Sequence, residues 1–184
     1  MPPIRSIAAQ LPRPDEEPAW FAFRTMFKRE KLVARRLDAA GIETYVPLRT
    51  IVKHYKSKTV VSRVPLLSSY VFVRLTAEHY PTVLADSDVF EVVRFNGEVG
   101  RVTEAEIALL KTVLRDGGED FEPQTAEGLG AGAPVVVNGG ALAGTRGRIV
   151  EARGNHNFVV ELSTLGVALE LVVDASLLSP RELG

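Results

Sequence analysis

The chain has 184 residues, 46% of them hydrophobic, which is enough for one medium-sized domain or two small ones. It contains no cysteine, which excludes disulfides, thiolate zinc sites and cysteine nucleophiles, and no run approaches the roughly 20 apolar residues of a membrane span. The net charge is −1, but residues 20–66 carry a net +8, residues 67–133 a net −7 and residues 134–184 a net −1. We expect a cytoplasmic protein, outside membranes, whose residues 20–66 can face phosphates.

The amino-terminal residues predict a leader, a strand and a helix. Residues 1–18 contain five prolines and three consecutive acids, a composition typical of a flexible leader. The aromatic and aliphatic run at residues 20–26 predicts a strand buried on both faces. Apolar residues at helical spacing over residues 28–40, with charges between them, predict an amphipathic helix with a basic outer face that ends at Gly41.

The next elements complete an α+β domain over residues 19–116, an α/β sandwich with an antiparallel sheet. Residues 43–46 predict a strand, and alternating apolar and cationic residues at 50–64 predict a hairpin arm with a basic tip. Thr103 and Glu106 have the spacing of a capping box, which marks the start of the last helix. The other predicted elements are strands at residues 69–75 and 89–95 and helices at residues 77–85 and 103–114.

The last third of the chain predicts a linker and a second domain. Residues 117–133 are rich in Gly, Glu, Ala and Pro and have no hydrophobic period, which is typical of an interdomain linker. Residues 134–181 alternate short β-favouring runs with Gly and Asn turns, which predicts a small, SH3-like, five-stranded β-barrel. Three of its glycines would allow a tight turn through positive φ or close backbone approach: Gly140, Gly144 and Gly147.

The sequence lacks a recognisable catalytic or metal-binding constellation. His54, His79 and His156 are far apart and none has ligand spacing, so ordinary surface histidines explain them better than a metal site. Residues 139–146 superficially resemble a phosphate-binding loop, but the lysine that would reach the phosphates is missing and no amphipathic helix follows. We therefore predict that the protein is not an enzyme and needs neither a cofactor nor a metal.

A cationic surface is predicted on the first helix and the hairpin arm, with aromatic residues nearby that could stack on exposed bases. The alternative is that these charged side chains only make a solvent-exposed helix face soluble. The cations are Lys28, Arg29, Arg35 and Arg36 on the helix and Lys53, Lys56 and Lys58 on the arm, and the neighbouring rings are Tyr45, His54 and Tyr55.

Aromatic residues also concentrate in the predicted strands of the first domain. Core packing explains most of them, but a domain of this size need not hide them all, and a residual apolar groove for a partner helix is the alternative. The aromatic residues concerned are Trp20, Phe21, Phe23, Tyr70, Phe72, Phe90 and Phe95.

Two motifs, in this order, resemble those of one known family. Trp20-Phe21-Ala22-Phe23-Arg24-Thr25, Glu30-Lys31, Gly41-Ile42-Glu43, Tyr45-Val46-Pro47 and Pro65-Leu66-Leu67-Ser68-Ser69-Tyr70-Val71-Phe72-Val73 resemble the amino-terminal (NGN) domain of NusG proteins. Val135-Val136-Val137, followed by Gly140, Ala143-Gly144 and Gly147-Arg148-Ile149-Val150, resembles their KOW motif. Within the family, Arg24-Thr25, Gly41-Ile42-Glu43 and Pro47-Leu48-Arg49 resemble the specialised RfaH-like and UpxY-type antiterminators.

The resemblance implies a transcription elongation or antitermination factor that binds elongating bacterial RNA polymerase and reduces pausing or termination. Its first domain would hold the clamp helices through an apolar groove and reach the opposite pincer through a loop. Its KOW barrel would recruit another protein, such as a ribosomal protein or Rho, and the factor would act as a monomer. By residue match, the groove residues are Arg24, Leu67, Tyr70, Phe72 and Phe95, the loop residues are His79, Tyr80 and Thr82, and the residues facing upstream or non-template DNA are Lys28, Arg29 and Arg36.

The sequence departs from the family pattern in two places. Leu67-Ser68-Ser69-Tyr70 replaces the Phe-Pro-Gly-Tyr-like turn that usually precedes this strand, and Asp86-Ser87-Asp88 lies where sequence-reading paralogues carry base-contacting groups. The alternative function is an RNA-binding or ribosome-associated module, because a KOW-like barrel and a basic arm also suit structured RNA. The net charge of −1 over residues 134–184 favours a protein partner for the barrel.

Overall fold

The computed structural model describes residues 7, 9–95, 97–115, 123–125, 134–137, 146–152, 155–162, 167–172 and 178–180. The chain forms two compact units. The first unit comprises residues 1–47 and 67–107, and the second comprises residues 48–66 and 108–184.

An antiparallel sheet forms the centre of the first unit. Strand β1 (Ala19–Thr25) lies between β5 (Tyr70–Leu75) and β6 (Val89–Val92), β2 (Thr44–Tyr45) extends the sheet beyond β5, and β9 (Arg101–Val102) also pairs with β1. The central position of β1 explains its aromatic run, because a strand covered on both faces buries every side chain along most of its length. The register between β1 and β6 shifts at Arg24 and Thr25, which is a β-bulge.

Two helices cover one face of this sheet. Phe21 and Phe23 of β1 pack in one buried cluster with Val33 and Leu37 of helix α1 (Glu30–Ala39) and with Tyr80 of helix α2 (Tyr80–Leu84). The first helix begins two residues later than its periodicity predicts, because Lys28 has a φ of +62° that a right-handed helix does not accept. It ends before Gly41, whose φ is +80°, as predicted.

The prediction that residues 1–18 form a flexible leader is wrong for Ile7 and Leu11. These two side chains are 4% and 5% exposed and belong to the same buried cluster as Phe21 and Phe23. The Pro12 carbonyl accepts a hydrogen bond of 2.7 Å from the Ala77 N–H, and the Gln10 side chain accepts one of 2.7 Å from the Val99 N–H. The prolines do prevent a strand, but apolar residues between them still pack on the core.

The later elements of the first unit are shorter than predicted. The helix expected at residues 77–85 covers only Tyr80–Leu84, and the strand expected at residues 89–95 ends at Val92. Strand β7 (Arg94–Phe95) instead pairs with β8 (Glu98–Val99) around Gly97, whose φ is +86°. The capping box is confirmed before helix α3 (Glu104–Arg115), since Glu106 Oε2 accepts from the Thr103 N–H at 2.7 Å and Thr103 Oγ1 accepts from the Glu106 N–H at 3.2 Å.

The second unit contains the hairpin arm and a separate sheet. The arm consists of β3 (Leu48–His54) and β4 (Thr59–Pro65), as predicted. The described strands of the other sheet are β10 (Pro123–Thr125), β11 (Pro134–Val137), β12 (Arg146–Ala152), β13 (Asn155–Leu162), β14 (Val167–Val172) and β15 (Leu178–Pro180). Their antiparallel order is β10-β14-β13-β12-β11-β15.

This sheet agrees in part with the predicted barrel. Its strands lie where residues 134–181 predict them, but β10 falls inside the predicted linker and pairs with β14. Closure of the sheet into a barrel stays a prediction. Gly147 pairs with Val135 within the ladder between β11 and β12, while Gly140 and Gly144 lie outside the described residues.

Candidate functional site

Arg24, Tyr70 and Glu91 form a polar cluster on the sheet face opposite Phe21 and Phe23. The register places Arg24 opposite Tyr70 on β5 and opposite Glu91 on β6. Arg24 Nη2 lies 3.4 Å from Tyr70 Oη, and its guanidinium carbon is 5.8 Å from the centre of the Tyr70 ring. The hydrogen bond to Tyr70 raises the pKa of Arg24, and Glu91 raises it further. The Arg24 cluster, as we name these three residues, therefore presents a fixed cation against an aromatic ring.

Three exposed apolar residues lie at the ends of the strands that carry the Arg24 cluster. Met26, Phe27 and Phe90 are 43%, 66% and 57% exposed, and we name them the apolar rim. Phe90 has no partner on β1 because of the bulge, and the Met26 N–H donates to the Asp88 carbonyl at 2.8 Å. Sequence reasoning missed Met26 and Phe27. The sequence feature that could have identified them is their position. They directly follow the buried residues of β1 and precede the charged residues at the start of α1.

Three residues predicted to contact a partner are instead buried. Leu67, Phe72 and Tyr80 are 4%, 0% and 1% exposed. The Phe72 ring centre lies 6.2 Å from that of Tyr45, and the Tyr80 ring centre lies 6.1 Å from that of Phe23. Burial raises the pKa of Tyr80. Leu67 precedes β5, Phe72 shares a strand face with Tyr70 but is covered there, and Tyr80 packs in the main buried cluster. None of these three side chains is available to a partner on the surface.

The other predicted contact residues are placed differently. Phe95 belongs to β7, outside the main sheet, and its side chain is not in the described part of the structure. His79 is half-buried and its Nδ1 lies 3.1 Å from Thr76 Oγ1, whereas Thr82 is exposed on α2. Of the predicted bridging loop, Thr82 and part of His79 are therefore available to a partner.

The hairpin arm presents cations and an aromatic ring to solvent. Lys53, Lys56 and Lys58 are exposed, and Tyr55 at the tip is 56% exposed. Hydrogen bonds between Tyr55 and Lys58 in both directions, of 2.8 and 3.3 Å, close the tip. This arrangement can place ammonium groups on phosphates and a ring against a base.

The predicted cations of helix α1 are not equally available. Arg36 binds the carboxylates of Asp86 and Asp88 at 2.6–2.7 Å, and Arg29 Nε lies 3.9 Å from Asp88 Oδ1. The hydrogen bond that Arg36 donates to Asp88, followed by those it donates to Asp86, raises the pKa of Arg36. Lys28 Nζ lies 5.1 Å from the centre of the Phe27 ring. The structure therefore pairs Arg36 with acids that the sequence analysis treated separately.

A family model described as "NusG: Transcription termination factor nusG" matches residues 18–111, more than half of the chain. The chain belongs to the NusG family. A solved structure described as "Domain interaction in Thermotoga maritima NusG" matches it with a TM-score of 0.55 and 19% identity, over 90% of this chain and 98% of that one. Two conformations of an MjSpt4:Spt5 complex match at 18% identity, with TM-scores of 0.30 and 0.29, over 88% of this chain and 95% and 97% of theirs. No curated protein matches the sequence significantly.

This NusG-family protein has a left-handed residue before β5 although the turn contains no glycine. Ser69 has a φ of +65°, and its N–H donates a 2.6 Å hydrogen bond to the carboxylate of the buried Glu30. The Ser69 carbonyl in turn accepts from the Thr25 N–H at 2.9 Å. These bonds fix the residue immediately before Tyr70, so the Leu67-Ser68-Ser69-Tyr70 turn positions the ring of the Arg24 cluster.

The family places the protein among transcription factors, and its fold is of mixed α/β type with antiparallel sheets. Within the described ranges, no helix is long and apolar enough to cross a membrane. The same residues bring no three histidine or acidic side chains together in an arrangement that could hold a metal ion.

Proposed function

We propose that the protein is a transcription elongation and antitermination factor that binds bacterial RNA polymerase at its clamp helices and reduces pausing or termination. The observation that carries this proposal is the Arg24 cluster on β1, β5 and β6 together with the exposed apolar rim on or directly after β1 and β6. Arginine and tyrosine beside large apolar side chains are typical of the residues that dominate protein interfaces. An amphipathic partner helix can bury its apolar face against Met26, Phe27 and Phe90 while its acids contact Arg24.

The proposed mechanism is a shift of polymerase populations without chemistry by this protein. Occupied clamp helices would disfavour the opened or swivelled polymerase states that accompany pausing, provided the factor binds the elongating state more tightly. Thr82 and His79 would add a second contact on the opposite pincer. We expect the protein to act as a cytoplasmic monomer, as a non-enzyme, and without a cofactor or metal.

The other partners follow from the arm and the carboxy-terminal sheet. Lys53, Lys56 and Lys58 would contact upstream or non-template DNA, with Tyr55 available for stacking. A carboxy-terminal KOW barrel would recruit a ribosomal protein or Rho, as the near-neutral charge of residues 134–184 favours. The sequence resemblance to RfaH-like and UpxY-type paralogues is what supports an antitermination role in this proposal.

The test uses the tagged full chain, because Ile7 and Leu11 are part of the core. Core RNA polymerase and a core enzyme lacking the clamp-helix tip are passed over the immobilised protein at moderate salt, and read-through of a terminator is measured in parallel. Retention of only the intact enzyme, with increased read-through, supports the proposal. No retention of either enzyme, together with salt-sensitive binding of structured RNA, contradicts it and supports the RNA-binding alternative that the basic arm favours.

A further inference from the structure

An ion cluster on the first unit neutralises cations that the sequence analysis assigned to DNA. Both carboxylate oxygens of Asp86 bind Arg36, at 2.7 Å to Nε and 2.6 Å to Nη2, and Asp88 Oδ2 lies 2.6 Å from the same Nη2. Arg29 Nε lies 3.9 Å from Asp88 Oδ1. We name these four residues the Arg36 cluster. Its two carboxylates and two guanidinium groups have a formal charge of zero.

The two acids are held firmly in this position. The Asp86 and Asp88 side chains are only 8% and 13% exposed, whereas Arg36 is 41% exposed. Asp86 Oδ1 also accepts a 2.9 Å hydrogen bond from the Asp88 N–H, which keeps both carboxylates against α1. Charge-assisted bidentate bonds of this kind are stronger than neutral hydrogen bonds. A phosphate approaching Arg36 would have to compete with carboxylates that are already in contact with it.

We infer that the Arg36 cluster is an electrostatic block that keeps DNA phosphates away from Arg29 and Arg36, so that the lysines of the hairpin arm make the main DNA contact. The inference rests on the proposed function for the choice of DNA as ligand. Contacts from Lys53, Lys56 and Lys58 to phosphates position a protein without reading bases. The DNA binding of this protein is therefore independent of sequence, and the acids at 86 and 88 determine which surface carries it.

The inference is tested with the full chain and fluorescent duplex and single-stranded DNA of arbitrary sequence, by anisotropy over a salt series. Asp86→Asn combined with Asp88→Asn is expected to tighten binding about tenfold and to steepen the salt dependence, because Arg29 and Arg36 become available for about two further phosphates. Asparagine oxygens can still accept from Arg36, which favours retention of the fold. Thermal melting of each variant verifies folding.

Two further variants distinguish the surfaces. Arg36→Gln is expected to leave DNA affinity within about twofold of wild type, while Lys56→Ala combined with Lys58→Ala weakens it about tenfold. If the double asparagine variant does not fold, the comparison of Arg36→Gln with the variant of Lys56 and Lys58 is sufficient to test the inference. Loss of affinity in Arg36→Gln equal to that of the arm variant, unchanged affinity in a folded asparagine variant, or tighter binding of an RNA hairpin than of DNA overturns the inference. The assay contains no polymerase, so its failure is distinguishable from failure of clamp-helix binding.

Discussion

The Glu30 carboxylate accepts a 2.6 Å hydrogen bond from the backbone N–H of Ser69, 39 residues further along the chain. Glu30 is 2% exposed and lies in the first turn of α1, where the helix dipole favours a negative charge. The bond ties the start of this helix to the turn before Tyr70. The ring that contacts Arg24 is thus positioned by a buried acid on a different element.

Replacing Glu30 with alanine should lower the free energy of unfolding by about 1–3 kcal/mol, because the Ser69 N–H loses its acceptor. Glu30→Gln keeps an acceptor oxygen of nearly the same shape and is expected to cost less. Urea unfolding followed by circular dichroism measures both variants. An alanine variant as stable as wild type would show that the bond contributes nothing.

Ser69→Gly should raise the free energy of unfolding by up to about 1 kcal/mol. A non-glycine residue at a φ of +65° costs roughly 1–2 kcal/mol, and the greater freedom of glycine in the unfolded chain offsets part of the gain. Ser69→Ala retains the Cβ atom and serves as the matched control, with stability close to wild type. Equal stability of the glycine and alanine variants contradicts the strain argument.

Leu11→Ala should lower the free energy of unfolding by about 2–5 kcal/mol, the range for deleting a buried leucine side chain. Leu11 is 5% exposed and packs in the main cluster of the first unit. The control is Arg13→Ala in the same segment, whose side chain is 73% exposed and whose ion pairs with Asp15 and Glu16 are on the surface. If Leu11→Ala and Arg13→Ala both have the urea midpoint of the wild type, the Leu11 side chain does not stabilise the core.

The free energy of unfolding should decrease as the pH rises in the alkaline range, because of Tyr45. Burial raises the pKa of Tyr45 to about 12 in the folded protein, from about 10 in the unfolded chain. The unfolded chain therefore loses this proton first, and stability present below pH 10 is lost as the pH rises toward 12. Tyr45→Phe should show a smaller decrease over this interval. Parallel pH dependences for wild type and variant, measured by urea unfolding, would contradict the assignment.

Local patterns in the sequence predicted most elements of the first unit and the hairpin arm of the second. The aromatic run of β1, the two strands of the hairpin arm and the capping box at Thr103 depend on neighbouring residues, and periodicity or spacing reveals them. Short elements were predicted less well. Strands β7, β8 and β9 have two residues each, which is too few for a period to be recognised.

The candidate site was less predictable because it depends on distant residues. Alternation along β5 separates Tyr70 and Phe72 from Val71, but does not tell that Phe72 is covered while Tyr70 is half-exposed. The pairing of Arg36 with Asp86 spans 50 residues and follows from the packing of the turn after α2 against α1. Composition gave no sign that Ile7 and Leu11 join the core.

The central claim, that the Arg24 cluster binds the polymerase clamp helices, is tested most directly by titrating labelled full-length protein with core RNA polymerase. Arg24→Ala should weaken binding about tenfold or more, as expected for an arginine at the centre of an interface. Arg13→Ala, an exposed cation away from the Arg24 cluster, should bind as wild type does. Wild-type affinity of Arg24→Ala, or equal weakening in both variants, would contradict the account.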